Sequence, residues 1–326
     1  MTGDAAGAPW GAASPPAQAP AALRDLEAEL DPAHPERVDG LRVLAYGEVS
    51  AALVLPGLPG WVAKRMSGLT DAAAAERYVN LVRSYLDRLA DLGVDTVPTF
   101  PVTVDRAGQP PVVYLLQPLV AADRLGHAAL AGADDAALGA LVDAVLGRVD
   151  TVLAGNEAGG LESAVDAQLS NWALTGEAGP DGTPRLALLD VGTPFVRDGD
   201  GYRLDVEIFL SAVPPGLRAY YRRKRAVEAY LDDYFDARTV AVDLLGNVHK
   251  EGQPERLPVL LDAVNGWLAV HRPGDAAVTA QEVSDYYRAD ADQLELFLRL
   301  RRADRFLRTR VLRGRYDFVL PGAIRR

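Results

Sequence analysis

The sequence predicts an α+β fold in which a small β-rich N-terminal part precedes a larger, mainly helical part. Two observations carry this prediction. Short apolar runs bounded by Gly and Pro turns occupy residues 41–66 and 112–120, as expected of antiparallel strands. Helical spacing of apolar residues instead dominates from residue 217 to residue 313. Strands that precede helices in this way are typical of α+β proteins.

The N-terminal elements can be taken in order. Residues 1–22 are rich in Ala, Pro and Gly, which predicts a disordered leader. A short helix at residues 23–30 and strands at residues 41–55 and 61–66 follow. Apolar residues at helical spacing then predict an amphipathic helix from Thr70, as its cap, to Leu92, before the stop at Gly93. A strand at residues 112–120 completes an N-terminal unit of residues 23–120.

The second unit, residues 121–326, is expected to be mainly helical. A helix is predicted at about residues 134–153, and brief strands at residues 172–174, 186–189 and 202–206. The helical stretch beyond them is expected to be interrupted around residues 246–258 and 272–276.

Composition excludes several classes of function. The 326 residues carry 34 basic and 45 acidic side chains, a net charge of −11, which argues against general nucleic-acid or anionic-membrane binding. There is no Cys and there are only four His, which excludes thiolate nucleophiles, disulfides and Cys- or His-paired zinc sites. No apolar run approaches the roughly 20 residues that span a bilayer, and no secretory signal is evident, so a cytoplasmic location is expected.

Three polar residues in the middle of the chain stand in a suggestive order. Asp166 and Asn171 lie five positions apart on a predicted loop, and Asp190 follows at the end of a predicted hairpin strand, two residues before Gly192. Carboxylate and amide oxygens are ligands that Mg²⁺ prefers, and a further carboxylate can orient an attacking hydroxyl group. These are residue types that phosphoryl transfer uses.

This pattern resembles the catalytic loop and the metal-binding motif of protein kinases, and the chain is similar to divergent bacterial members of the protein-kinase-like and aminoglycoside-phosphotransferase-like superfamily. The resemblance implies a two-lobed fold with a β-rich N-lobe and a helical C-lobe. It also implies that Asp166 is the base or orienting group, and that Asn171 and Asp190 hold Mg²⁺ or Mn²⁺ against ATP.

The same resemblance extends upstream. Lys64, in the context Trp61-Val62-Ala63-Lys64, matches the kinase lysine that neutralises the α- and β-phosphates, and Glu76 is the implied glutamate partner in the following helix. Further cofactor-binding residues are implied in two short segments. These are the turn over the phosphates, with Gly47 and Ser50, and the hinge that reads the adenine edge, with Gln117 and Leu119.

Several positions depart from the family pattern. Ala164 and Val165 stand where kinases place His and Arg or His and Gly, Val191 replaces the motif's Phe, and the glycine-rich loop is reduced to Gly47. These departures place the chain nearer to small-molecule or atypical kinases than to eukaryotic protein kinases.

Each functional assignment has an alternative in which the residue has only a structural role. Asp166 and Asn171 could cap helices or close turns, Lys64 could be an exposed edge-strand residue, and Glu76 could simply complement the helix dipole. The basic stretches at residues 220–225 and 299–315 favour solvated helix faces over binding of an acidic substrate.

The function expected is ATP-dependent transfer of a phosphoryl group to a hydroxyl, most plausibly of a small molecule. The alternative is a pseudokinase that binds nucleotide and acts as a scaffold. A third possibility, a helical scaffold that binds no nucleotide, would leave Lys64 and the spacing of Asp166 and Asn171 unexplained.

Overall fold

The computed structural model describes residues 10, 13–158, 160–176, 178–179, 182–199 and 201–321, and every structural statement below concerns those residues. Half of the predicted leader, residues 1–9 and 11–12, lies outside them. Helix α1 (Ala19–Glu29) starts inside the predicted leader and buries Ala19 and Leu23. The prediction of a disordered leader is therefore wrong for residues 19–22, which belong to this helix.

An antiparallel sheet of five strands forms the N-terminal part of the described chain. Its strands are β1 (Arg42–Tyr46), β2 (Ser50–Val54), β3 (Trp61–Met66), β4 (Phe100–Arg106) and β5 (Gln109–Pro118), in the order β1-β2-β3-β5-β4. Strand β3 lies in the centre, where Lys64 is aligned with Ala52 on one side and Leu115 on the other. The interpretation of Lys64 as an edge-strand residue is therefore wrong.

Strand β4 has no counterpart among the predicted strands. Its second residue is Pro101, and proline lacks the N–H that a strand in the middle of a sheet must donate. The structure accommodates it because β4 is the edge strand and pairs only with β5. A turn at residues 107–108 joins these two strands.

Helix α2 (Ala72–Asp91) packs against one face of this sheet. The carboxylate of Asp71 accepts a hydrogen bond from the backbone N–H of Ala74 at 2.7 Å, so Asp71 is the N-cap and not Thr70. Successive side chains of a strand alternate between faces. Met66 accordingly joins the core under α2, whereas Ala63 joins the core on the opposite face, under α1.

The remainder of the described chain is mainly helical and carries short strands. In chain order the elements are α3 (Ala129–Gly132), α4 (Asp135–Ala154), β6 (Glu162–Ser163), β7 (Trp172–Leu174), β8 (Leu186–Leu188), β9 (Val196–Asp198), β10 (Gly201–Tyr202), α5 (Glu207–Ala212), α6 (Pro215–Arg223), α7 (Ala226–Asp232), α8 (Ala237–Lys250), α9 (Leu257–His271) and α10 (Ala280–Phe306). Strands β7 and β8 form a hairpin, and β6 and β10 flank β9. The α+β class is thus confirmed.

Two local predictions in this part are wrong. The strand expected at residues 202–206 ends at Tyr202, and its partner β9 was not expected. The helical interruption expected from Gly246 starts only after Lys250, because Gly246 lies inside α8. A Cβ at Gly246 would lie 2.8 Å from the ring of Tyr286, so glycine there permits α8 and α10 to pack closely.

The last described segment returns to the N-terminal sheet. Tyr316, Phe318 and Leu320 are buried in the core under α2, and Val319 is buried in the core under α1. The carbonyl of Asp317 accepts a hydrogen bond from the Arg65 guanidinium at 2.7 Å. The prediction that residues 121–326 form one separate unit therefore fails for residues 316–320, which pack against the N-terminal sheet.

Among the described residues, no helix combines the length and the apolar character needed to cross a membrane.

Candidate active site

Lys64 and Asp190 form an ion pair. The Nζ atom of Lys64 lies 2.5 Å from Oδ1 of Asp190, and the side chains are 16% and 37% exposed. The strand β3 supplies the lysine, and the chain that leaves β8 supplies the aspartate. The structure therefore brings two of the predicted site residues into direct contact.

Gly192 allows this close approach. A Cβ at residue 192 would lie 3.0 Å from Lys64 Nζ, which is tighter than most real contacts. The N–H of Gly192 also donates to Oδ1 of Asp190 at 2.9 Å, and its carbonyl accepts from the Tyr78 hydroxyl at 2.8 Å. The Asp-x-Gly pattern thus has a local reason: the glycine both leaves space and orients the carboxylate.

The β7–β8 hairpin places Asn171 next to Asp190. Trp172 is aligned with Leu188, so Asn171 lies opposite Leu189, whose N–H donates to the Asn171 carbonyl at 2.7 Å. The Gln117 amide nitrogen donates to the carbonyl of Leu189 at 2.7 Å. This second contact ties the end of the hairpin to β5.

Asp166 is held by its own loop. Its Oδ1 accepts from the backbone N–H of Gln168 at 2.8 Å, and its Oδ2 accepts from the Asn171 side-chain amide at 2.9 Å. Asn171 thus connects Asp166 to the hairpin that carries Asp190. The alternative interpretation, that Asp166 closes a turn, is also partly correct, since its bond to the N–H of Gln168 forms an Asx-type turn.

The loop before Asp166 is supported without the His and Arg of kinases. Ala164 and Val165 are fully buried. The hydroxyl of Tyr85, on α2, donates to the carbonyl of Ala164 at 2.6 Å, and the indole N–H of Trp172 donates to the carbonyl of Asp166 at 2.9 Å. Tyr85 therefore anchors the backbone carbonyl before Val165, and Trp172 anchors the one after it.

The two carboxylates differ in their electrostatic setting. Burial opposes ionisation of Asp190, but the charge and hydrogen bond of Lys64 outweigh it, so the pKa of Asp190 lies below its usual range. Burial and then the nearby carboxylate of Asp243 raise the pKa of Asp166 well above its usual range. A cation bound between them would favour the ionised form of Asp166.

Asp243, on α8, is a site residue that the sequence reasoning missed. Its Oδ1 accepts from the Tyr286 hydroxyl at 2.6 Å, and its Oδ2 accepts from the Gln168 side-chain amide at 3.2 Å. Burial raises its pKa too. The signal was present: Asp243 interrupts the apolar run of residues 240–245, where a carboxylate needs partners.

Glu76 is not a partner of Lys64. It lies on the exposed face of α2, while the buried face carries Ala75, Tyr78 and Val79. Lys64 pairs with Asp190 instead. The implied Lys64–Glu76 pair is corrected for this reason. The alternative, that Glu76 complements the helix dipole, is wrong too, because the first turn of α2 carries no acidic residue.

The turn between β1 and β2 contains Gly47 and ends at Ser50, the first residue of β2. The N–H of Gly47 donates to the carbonyl of Ser50 at 2.9 Å, and a Cβ at residue 47 would lie 2.6 Å from the Ser50 hydroxyl. Arg301 of α10 donates to the carbonyl of Glu48 at 2.7 Å. The long C-terminal helix therefore holds this turn from outside.

The segment predicted as a hinge, from Gln117 to Leu119, comprises the last two residues of β5 and the residue after it. The side chain of Gln117 is buried and bonds to Thr99 and to the carbonyl of Leu189. The N–H of Leu119 donates to the carbonyl of Gly60 at 2.8 Å. Leu119 can therefore donate to a base edge only if that bond opens.

The donors that could hold a metal ion are Asp190 and Asn171. Both hydrogen bonds to Asp190 converge on Oδ1, and the amide nitrogen of Asn171 is used by Asp166, so Oδ2 and the amide oxygen are the atoms suited to a cation. No group of three or more His, Cys, Asp or Glu that could hold a metal occurs in the described part of the chain. The set fits Mg²⁺, which usually takes one or two carboxylates together with phosphate oxygens and water.

The family model of DUF6206, a family of unknown function, matches residues 57–305. The chain belongs to this family. The match extends from just before β3 to the end of α10, and so includes the segments of this DUF6206 protein that carry Lys64, Asp166, Asn171 and Asp190.

No curated protein matches the chain. Among solved structures, the chain is similar to a protein described as WaaP in complex with acyl carrier protein. The identity is 18%, the match covers 73% of this DUF6206 chain and 96% of that chain, and the TM-score is 0.32. A TM-score of this size carries no argument about fold or activity.

Proposed function

We propose that this protein is an ATP-dependent phosphotransferase with a two-lobed, kinase-like arrangement and a hydroxyl-bearing small molecule as acceptor. The observation that carries the proposal is the contact between Lys64 and Asp190, which are 126 positions apart in the chain. Asp166 is linked through Asn171 to the same hairpin. An isolated ion pair would not require an Asp and an Asn at this spacing beside it, whereas phosphoryl transfer uses all of them.

Lys64 serves the phosphate side of the site. Its ammonium is partly shielded and already faces a carboxylate, so an anionic phosphate could join the pair without a long movement of the side chain. The turn with Gly47 and Ser50 would cover the phosphates, and the segment from Gln117 to Leu119 would contact the base.

Asp190 and Asn171 serve the metal side. Mg²⁺ or Mn²⁺, when bound, supplies neutralisation of the charge on the transferred phosphoryl group. Asp190 would present Oδ2 while Gly192 and Lys64 hold Oδ1, and Asn171 would present its amide oxygen while Asp166 holds its nitrogen.

Asp166 serves the acceptor side. A carboxylate there would accept a hydrogen bond from the acceptor hydroxyl and orient its oxygen for attack on the phosphorus atom, taking the proton as the bond forms. Its bonds to Gln168 and Asn171 restrict its orientation before the acceptor arrives. Such positioning is the main contribution that a protein makes to this reaction.

The experiment is a thermal denaturation series with ATP and ADP, each with and without Mg²⁺ or Mn²⁺, followed by a phosphate-release assay. A ligand at one hundred times its Kd stabilises the native state by about 2.7 kcal/mol, which is easily measured. We expect ATP to raise the melting temperature only when metal is present, and phosphate to be released slowly. Absence of any nucleotide effect would refute the proposal, and binding without turnover would favour the nucleotide-binding scaffold.

A further inference from the structure

A cavity of about 300 Å³ lies away from the ion pair of Lys64 and Asp190. Its walls come from the β3–α2 connection, the β4–β5 hairpin, the α5–α6 region and the C-terminal segment, and none of the proposed phosphotransfer residues lines it. Five arginines line the cavity: Arg65, Arg106, Arg218, Arg308 and Arg315. In a chain with a net charge of −11, such a group is a strong local exception.

The carboxylates around this arginine-lined cavity do not balance its charge. Those paired with its arginines are Glu27, Asp304 and Asp317. Asp317 is shared, since its Oδ1 lies 2.9 Å from Arg106 and 3.1 Å from Arg315. Five guanidinium groups therefore meet three carboxylates, and about two positive charges remain.

Arg218 is the clearest source of this excess. Its guanidinium donates to the backbone carbonyls of Val213 and Ser211, both at 2.9 Å, and makes no ion pair with a carboxylate among the described residues. These bonds fix the guanidinium at the cavity wall and leave its charge uncompensated. A guanidinium held in this way is suited to an anion, because little side-chain freedom is lost on binding.

The charge and the size of the cavity indicate the ligand. A phosphate monoester carries about −1.5 to −2 charges at neutral pH, which matches the excess, and arginine binds phosphate oxygens through paired N–H donors. The apolar side chains of Met66, Leu69, Val112 and Phe318 line the rest of the wall. The volume is at the lower end of the range for small-molecule pockets.

We propose that the arginine-lined cavity binds a small organic phosphate monoester at a site separate from the nucleotide. A bound phosphate would connect the β3–α2 link, which begins three residues after Lys64, with the C-terminal segment. It would therefore stabilise the native state.

The test is calorimetric titration of the full chain with glycerol 3-phosphate, without nucleotide or metal. We expect saturable binding of one molecule per chain. Arg218→Gln and Arg308→Gln should each weaken it about tenfold or more, because each removes a charge-assisted contact. Arg223→Gln is the matched control, since Arg223 is exposed on the same helix as Arg218 and does not line the cavity.

A second arm separates this site from the nucleotide cleft. Lys64→Met should leave binding of glycerol 3-phosphate unchanged, because Lys64 does not line the cavity. Loss of binding in Lys64→Met with retention in Arg218→Gln would overturn the proposal, as would equal effects of Arg218→Gln and Arg223→Gln or no saturable binding at all. If Arg218→Gln fails to fold because its two backbone contacts are lost, Arg308→Gln decides.

Discussion

The Nζ atom of Lys64 lies 2.5 Å from Oδ1 of Asp190, and this contact joins the central strand of the sheet to the end of the β7–β8 hairpin. Both side chains keep some exposure. A partly exposed ion pair adds little to stability, because the cost of removing the charges from water and of ordering two side chains offsets their attraction. The position of this ion pair therefore indicates function better than its contribution to the free energy of unfolding does.

Lys64→Met should remove stabilisation by ATP with Mg²⁺ while leaving the melting temperature without ligand within a few degrees. The physical reason is that Lys64 supplies positive charge at the phosphates, whereas its pair with Asp190 contributes little to folding. The measurement is thermal denaturation with and without ligand. Lys224→Met is the control, since Lys224 is exposed at the end of α6. An unchanged response of Lys64→Met to ATP would contradict the phosphate role.

Asp190→Asn should abolish the metal dependence of nucleotide binding, because an amide supplies a neutral oxygen where Mg²⁺ requires a carboxylate. The fold should persist, since asparagine has nearly the same shape and its amide oxygen can still accept hydrogen bonds from Lys64 and from the N–H of Gly192. Titration with ATP at several Mg²⁺ concentrations measures the effect, with Asp87→Asn on the exposed face of α2 as the control. If Asp190→Asn binds ATP with wild-type metal dependence, Asp190 is structural.

Asp166→Asn should retain ATP affinity and lose nearly all turnover, because its contact with the nucleophile is made on the way to the transition state. Phosphate release with water as the acceptor measures turnover while the natural acceptor is unknown, and the thermal shift measures binding. Turnover that survives in Asp166→Asn would exclude this residue as the orienting group. Loss of binding and turnover together would assign it a structural role.

Glu27→Gln should lower the free energy of unfolding by about 3–5 kcal/mol, because it leaves the buried charge of Arg65 without its carboxylate. The two side chains are 1% and 2% exposed, and Arg65 Nε lies 2.6 Å from Glu27 Oε1. Urea denaturation measures the difference, and Glu29→Gln is the control, since Glu29 is exposed on the same helix. A change below about 1 kcal/mol would show that the pair is not well desolvated.

The same carboxylate predicts a pH dependence. Burial would raise the pKa of Glu27, but the hydrogen bond and charge of Arg65, with Tyr114 and Arg106, outweigh it and hold the pKa below its ordinary value of 4.5. The unfolded state then binds the proton more readily, so the stabilisation from Glu27 is present above the unfolded pKa and is lost as pH falls through the folded pKa. Wild type should lose more stability than Glu27→Gln between about pH 6 and about pH 3. Parallel pH profiles for the two proteins would contradict this.

Local patterns in the sequence were enough for the α+β class and for most elements. Strand β3 could be predicted from a short apolar run next to turn residues, and helix α2 from apolar residues at helical spacing. Neither pattern needs knowledge of distant contacts. The same holds for the loop with Asp166 and Asn171, whose bond at 2.9 Å joins residues only five apart. The edge strand β4 was missed because Pro101 is tolerated only where β4 lies in the sheet.

Residues that are distant in the chain were paired by the tertiary structure. The resemblance to kinases implied Glu76 as the partner of Lys64. The rotation of α2 instead turns Glu76 to solvent, and the hairpin after residue 171 brings Asp190 to the lysine. The sequence did not indicate that Asp243 lies beside Asp166. Nor did it indicate that the C-terminal segment adds arginines to those of the sheet. Spacing along one element decides which face of that element a side chain occupies. The charged group that the side chain contacts depends instead on how separate elements pack. Packing is determined by burial of apolar surface over the whole chain.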